Sequence, residues 1–372
     1  MLALLRDICE IPPTRKVGSD ENARVAAASN GRPTMIIRAD RLTKQFKTLK
    51  RKDGAWSALA NLFSRDYETK DAVRDVSFDV AAGEIVGYIG PNGAGKSTTI
   101  KMLTGILVPT SGTCTVDGIV PWKDRQSNGR QIGVVFGQRT QLYWDLPLVE
   151  SFRLLRAIYD VPEKTYARNL GEFTEILGLD EFINTPVRQL SLGQRMRGDF
   201  AAAMLHEPKV VFLDEPTIGL DVVAKEAIRK FIQRVNRERG TTFLLTTHDL
   251  NDIEKLCERI ILIDHGQKLY DGSIDGIRGR FGRKRMMTVE LTDDCSGVVI
   301  NMKGVTVVSR DGPTMVFEFD RDVVRADHII TALAAQCELR DITIAEPELE
   351  TIIRQIYQRG MDALQPETVS RT

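Results

Sequence analysis

Between residues 35 and 278, short apolar runs alternate with longer stretches whose apolar positions recur at helical spacing. The runs EIVGYIG (84–90), KVVFLDEP (209–216), TTFLLTTH (241–248) and RIILID (259–264) are rich in β-branched and aliphatic residues. That is how a strand covered on both faces reads, and its alternation with helices predicts an α/β domain built on a mainly parallel sheet. Residues 145–205 carry a more sustained helical period, as in SFRLLRAIY and FTEILGL, and predict a helical insert in that domain. Past 279 the elements shorten. MMTVEL, GVTVVS and TMVFEF read as strands joined by Gly/Asp turns, followed by helical VVRADHIITALAAQC, strand ELRDITIA and helical PELETIIRQIY. Residues 279–372 are therefore expected to form a small α+β domain.

Residues 1–34 show little periodicity and become rich in Ser, Asn, Gly and Pro, so they are expected to be a flexible extension, with Met35 as an alternative start. The segment 47–70 is longer than its surroundings need. Trp56, Leu59, Ala60 and Phe63 fall at i, i+3, i+4 and i+7, with Lys47, Lys50, Arg51, Lys52 and Arg65 around them. Such a basic amphipathic helix can lie on an anionic membrane surface or dock to a membrane subunit; the alternative is a core-packed helix with a solvated basic collar.

Composition narrows the classes. Lys plus Arg and Asp plus Glu both number 51, giving a formal net charge of zero, which argues against a general nucleic-acid binder. The neutral total hides an imbalance, since residues 35–70 hold 9 basic and 4 acidic side chains. The 5 cysteines are scattered with no CxxC pair, which points away from zinc sites and disulfide frameworks and toward a reducing compartment. No run approaches the ~18 apolar residues of a membrane span, and Asp7 and Glu10 spoil a signal peptide. A cytoplasmic location is expected, with any membrane role supplied through a partner.

The chemistry begins at Gly90-Pro91-Asn92-Gly93-Ala94-Gly95-Lys96-Ser97-Thr98, which matches GxxxxGK[ST] between a strand and a helical stretch. The glycines let successive N–H groups turn toward a polyphosphate, and the helix beginning near Lys96 adds its positive end. Lys96 would reach the β and γ phosphates, and the Ser97 hydroxyl would face Mg²⁺. A Gly-rich turn with an incidental lysine is the plainer reading, but the strand and helix on either side oppose it. Val210-Val-Phe-Leu-Asp214-Glu215 is an apolar strand ending in two acids. Asp214 could hold Mg²⁺ opposite Ser97, and Glu215 could polarise the attacking water as a general base.

With these segments in hand, residues 35–278 resemble the ATP-binding-cassette (ABC) ATPases. The landmarks fall in order: GPNGAGKST (90–98), Gln138 in GVVFGQRTQL, LSLGQ (190–194) where LSGGQ is usual, Asp214-Glu215-Pro-Thr, Gly219-Leu-Asp221 and His248. The resemblance implies a P-loop NTPase fold, with a RecA-like core, an antiparallel β subdomain and a helical subdomain over about 139–205. It implies ATP and Mg²⁺ as ligands, with Ser97, Gln138 and Asp214 around the metal, Glu215 and His248 catalytic, and the Asp221 loop beside the nucleotide. It also implies two cassettes packed head to tail. There Ser191, Gly193 and Gln194 close over the γ-phosphate held by the other cassette, in a homodimer or a heterodimer. Leu192 in place of glycine puts Gly-only dihedrals at the signature in question. Adenine is expected to stack on Phe46 rather than on Tyr67.

The tail ITIAEPELETIIRQIY and the stretch FGQRTQLYWDLPLVESF resemble a bacterial exporter class whose membrane domain is a separate six-helix subunit. Residues 139–152, with Tyr143, Trp144 and Asp145, would then meet that transmembrane permease, at the cytoplasmic face of the inner membrane; an aromatic pair buried in the helical subdomain is the alternative. Two rivals stand beside this reading. A soluble cassette ATPase of translation or repair is opposed by the single cassette and the missing zinc cysteines. A regulatory nucleotide-binding module without turnover is opposed by Glu215 and His248.

Overall fold

The computed structural model describes residues 34–49, 67–137, 139–247, 249–281, 284–292 and 297–359. The extension 1–33, the amphipathic stretch 56–63, Gln138 and His248 lie outside the described residues. In chain order the first part comprises β1 (Met35–Leu49), β2 (Tyr67–Ala81), β3 (Ile85–Ile89), α1 (Lys96–Leu103), β4 (Ser111–Val116), α2 (Arg125–Gln131) and β5 (Ile132–Phe136). Then come α3 (Leu148–Ile158), α4 (Glu163–Leu177), α5 (Leu192–Met204), β6 (Val210–Asp214), α6 (Val222–Arg239), β7 (Thr242–Thr246), α7 (Leu250–Leu256), β8 (Arg259–Asp264), β9 (Gln267–Ser273) and α8 (Ile274–Phe281).

A six-stranded sheet in the order β5-β6-β7-β3-β8-β9 forms the centre, parallel except for β9, which runs antiparallel to β8. Its five parallel strands are largely apolar because both faces are covered, with alternate residues going to opposite cores, whereas the edge strand β9 is polar and only partly buried. Val211, Leu213, Phe243, Leu245, Ile260 and Leu262 join the helices on one face. Val210, Phe212, Leu244, Ile261 and Ile263 join α1 and the antiparallel strands on the other. Those strands are a three-stranded sheet in the order β2-β1-β4. Its first pair runs on to Leu49↔Tyr67, so the insertion leaves from the end of a long antiparallel ribbon.

Helices α3 to α5 form the helical insert. Phe173 and Phe200 both meet Phe231 of α6 edge-on, with ring centroids 5.2 and 6.1 Å apart. At the rim, Arg239 pairs with Glu172 and Glu207, and Arg168 also pairs with Glu207, tying the insert to the end of α6.

The remaining elements are β10 (Lys284–Leu291), β11 (Val305–Asp311), β12 (Thr314–Asp320), α9 (Ala326–Ala334), β13 (Leu339–Ala345) and α10 (Leu349–Arg359). The four strands form an antiparallel sheet in the order β11-β12-β10-β13, with Met287, Val289, Phe317, Ile329 and Leu333 as its core. The last helix leaves this core. Leu349, Ile352, Ile353 and Ile356 pack instead with Ile274 and Ile277 in the core of the first part. Among the described residues no helix is long and apolar enough to cross a membrane.

Candidate functional site

The loop between β3 and α1 turns through Gly93 and Gly95 at φ +83° and +106°. Only glycine fits at Gly95, where a Cβ would meet the Ala72 carbonyl oxygen at 2.4 Å. No side chain caps α1, so its first amides stay open to an anion. Lys96 is buried, and its ammonium donates to the carbonyls of Gly90 at 2.6 Å and Pro91 at 3.2 Å. Burial pulls its pKa below the ordinary lysine value, while Glu215 and Asp214 oppose the shift. Gly90, Ala94 and Lys96 are buried, whereas Pro91, Asn92 and Gly93 are exposed at the rim, so the loop presents its backbone outward.

Opposite this loop, one oxygen of the Asp214 carboxylate accepts from the Ser97 hydroxyl at 3.1 Å and from the Thr246 hydroxyl at 2.7 Å. Thr246, at the end of β7, escaped the sequence reading because a threonine in a buried strand reads as a β-branched filler. The next residue, Glu215, adopts φ +53°, a left-handed conformation that is costly for a side-chain-bearing residue and collects at functional sites. The surroundings impose it: the Glu215 amide donates to both the carbonyl and the hydroxyl of Thr246, at 3.0 and 3.2 Å. From the other side, a Cβ on Gly137 would meet the Glu215 carbonyl oxygen at 2.0 Å. The residue before Gln138 is thus pressed against the backbone of the proposed general base.

Gly90, Pro91, Asn92, Ser97, Asp214 and Glu215 line one cavity of ≈ 820 Å³, while Lys96 and Thr246 stand behind its wall. Ser191, Gly193, Gln194 and Phe46 do not line it. Ser191 caps α5 and forms a capping box with Gln194: its hydroxyl accepts from the Gln194 amide at 3.2 Å, and its amide donates to the Gln194 side chain at 2.9 Å. Leu192 is the first residue of that helix and is not among the residues with positive φ, so the leucine imposes no backbone strain. Its Cδ2 lies 3.2 Å from where a Cβ on Gly219 would be, and the signature therefore rests on the Gly219–Asp221 loop of its own chain. The Asp221 carboxylate caps α6, accepting from the Ala224 amide at 2.7 Å. Phe46 lies on β1 with its ring 39% exposed and the Lys44 ammonium 5.4 Å from its centroid. Tyr67 begins β2 opposite Leu49. His206 is structural, stacked on Tyr159 at 4.0 Å, with Nε2 3.0 Å from the Ile132 carbonyl oxygen.

A buried network joins the elements that leave the cavity. The Thr217 hydroxyl donates to Asp252 at 2.6 Å, and Arg229 bridges Asp252 and Glu226 at 3.0 and 2.9 Å. Asp199, in the middle of α5, is 3% exposed and accepts from the Thr140 hydroxyl and the Gln141 amide. A charged residue inside the apolar GDFAAAM run was its only signal in the sequence. Burial raises its pKa to about 7, against the bonds from Gln141 and Thr140 and the charge of Arg195. A carboxyl whose native pKa is raised binds its proton more tightly folded than unfolded, so stability falls as pH rises from ~4 through about 7. Asn cannot ionise. In thermal melts the stability of Asp199→Asn relative to the parent is therefore expected to rise by about 2–3 kcal/mol between pH 5 and pH 8; a gap that does not change with pH would contradict the assignment.

A Gly-rich loop entering a helix, a Ser–Asp pair facing it, an acid in left-handed backbone and a capped LSLGQ helix define a P-loop NTPase of the cassette type. Residues 73–218 match the ABC transporter family. The chain is 34% identical over 206 residues to the ABC transporter ATP-binding protein NatA of Bacillus subtilis (strain 168), covering 55% of this chain and 83% of that one. It is 29% identical over 309 residues to the linearmycin resistance ATP-binding protein LnrL of the same organism, covering 81% of this chain and 98% of that one. Among solved structures, a dimeric ATP-binding cassette in a post-hydrolysis state with ADP and Pi superposes with a TM-score of 0.54 at 27% identity, covering 64% of this chain and 98% of that one. The chain belongs to the ABC transporter ATP-binding proteins: it is the ATP-binding, ATP-hydrolysing subunit of an ABC transporter.

Proposed function

We propose that this chain powers an exporter from the cytoplasmic face of the inner membrane, as one of two cassettes attached to separate transmembrane permease subunits. The observation that carries the site assignment is the Asp214 carboxylate 3.1 Å from the Ser97 hydroxyl, in the cavity that the phosphate loop and Glu215 also line. The amides of 93–98 and the Lys96 ammonium bind the phosphates. Among the described residues no three acids, histidines or cysteines cluster as a metal site. One hydroxyl, one carboxylate and the phosphate oxygens themselves suit Mg²⁺, which binds with few protein ligands. Bound there, Mg²⁺ would neutralise charge developing on the transferred phosphoryl group. Glu215 orients and deprotonates the attacking water, assisted by His248, while Gln138 links the metal site to the permease.

The second cassette, identical or related, closes its Ser191, Gly193 and Gln194 over this nucleotide. Its Asp221 loop lies beside the same contact, and the twofold arrangement completes two composite sites. Tyr143 and Trp144, 40% and 51% exposed, form the surface offered to the permease, and the basic insertion 47–70 adds a membrane-facing contact. Export rather than import is supported by the likeness to a resistance protein across nearly its whole length. Phosphate release from ATP by the purified chain is expected to require Mg²⁺ and to stop on chelation; release that survives EDTA would sink the Ser97–Asp214 assignment.

Adenine stacks on Phe46. Phe46→Ala is expected to weaken ATP binding by about 1–3 kcal/mol, measured by calorimetry. If Tyr67→Ala carries that loss while Phe46→Ala binds normally, the stacking residue is Tyr67.

A further inference from the structure

One face of α5 runs back from the signature residues, and it holds the loop that follows Gln138. Arg195, Gly198 and Asp199 stand at i, i+3 and i+4 and share that face. The Arg195 guanidinium lies over the Trp144 ring, 5.7 Å from its centroid. Gly198 packs so closely beneath the loop that a Cβ would meet Leu148 Cδ1 at 2.9 Å and Leu142 Cδ1 at 3.1 Å. Asp199 makes the polar part of the seam. Its carboxylate accepts from the Thr140 hydroxyl at 2.9 Å and the Gln141 amide at 3.0 Å, and its backbone carbonyl accepts from the Gln141 side-chain amide at 3.1 Å. The Thr140 hydroxyl accepts in turn from the Leu142 amide at 3.0 Å, which fixes the loop's own turn. A buried acceptor cannot exchange these donors for water, so the seam does not slide as an exposed ion pair would.

We propose that Asp199 is the positioning residue that makes the loop 139–147 and helix α5 move as one piece. A displacement of the exposed Tyr143–Trp144 surface then reaches Ser191–Gln194 at the other end of the same helix. Eight residues of helix carry it over about 12 Å. This rests on the reading that those signature residues close over a second cassette's nucleotide. It adds the side chain, Asp199, that holds the permease-facing loop to the signature helix.

The test uses the full chain in a Glu215→Gln background. ATP-driven dimerisation is followed by sedimentation, and nucleotide binding to the monomer by a fluorescent ATP analogue. Asp199→Ala is expected to raise the dimer dissociation constant about tenfold, the scale of one or two lost buried hydrogen bonds. Monomer affinity for the analogue is expected to stay within about twofold, because the phosphate loop is untouched. Asp199→Asn keeps an oxygen acceptor for Thr140 and Gln141 and is expected to restore dimerisation, whereas Asp199→Leu fills the space without an acceptor and is expected to stay as defective as Ala. Thr140→Val removes one donor and is expected to fall between the two. Asp199→Ala dimerising like its parent overturns the proposal, as does Asn proving as defective as Ala. If Asp199→Ala does not fold, Thr140→Val decides, and unchanged dimerisation by it overturns the proposal. A parent that binds ATP but never dimerises removes the composite site and this proposal with it. A parent that dimerises, alongside an Asp199→Ala that dimerises equally well, removes this proposal alone.

Discussion

Glu215→Gln is expected to lower steady-state phosphate release by about 10²–10⁴-fold, the range contributed by a positioned general base. The side chain keeps its size and loses its basicity, so a water held against it is no longer deprotonated. ATP binding is expected to persist, because the phosphate loop and the Ser97–Asp214 pair are separate from this side chain. The backbone of Glu215 is held in left-handed geometry by Thr246 and by the close approach of Gly137, and neither restraint involves the carboxylate. The variant is therefore expected to accumulate as an ATP-bound closed dimer in size-exclusion chromatography. Turnover near the parental rate would make another group the base, and the mechanism would have to be rewritten around it.

Lys96→Ala is expected to act at the earlier step. Its ammonium is buried at the mouth of α1 and rests on the Gly90 and Pro91 carbonyls, and in the proposed mechanism phosphate oxygens would take those bonds over. A charge-assisted hydrogen bond contributes about 1.5–3 kcal/mol, so ATP affinity should fall about ten- to a hundredfold in equilibrium binding. Folding is expected to survive, since the deletion leaves two carbonyls that water can reach from an open cavity. The two variants thus separate binding from chemistry. An unchanged ATP affinity in Lys96→Ala would place the polyphosphate elsewhere.

A feature is legible in the sequence to the extent that its residues lie close together along the chain. The phosphate loop is contiguous, and its glycines, lysine and serine could be read directly because a tight anion-binding turn needs those types at that spacing. The two-sided burial of the central strands was equally legible, since an all-apolar run leaves no polar face for solvent. The tail reads differently once folded. PELETIIRQIY has a clear helical period, yet the period does not say which core receives it, and Leu349 and Ile353 go to the nucleotide domain rather than to the sheet before them. Leu192 illustrates the converse. The sequence raised a doubt about backbone dihedrals at the signature, and the structure removes it, because the residue stands inside a normal capped helix.

Which residue types carry the chemistry, and in what order, is set along the chain, because each landmark is a local pattern whose spacing is set by covalent geometry. Tertiary structure decided what those residues face. Ser97 meets Asp214 across 117 residues, and Thr246 reaches the same carboxylate from a neighbouring strand. Asp199 finds its partners 58 and 59 residues away, in the loop after Gln138, and nothing local in either segment pairs the two. Glu215 is forced into left-handed backbone by contacts from Gly137 and Thr246, neither adjacent to it in the chain. Such contacts depend on how the packed sheet brings strand ends together, and no local propensity records that.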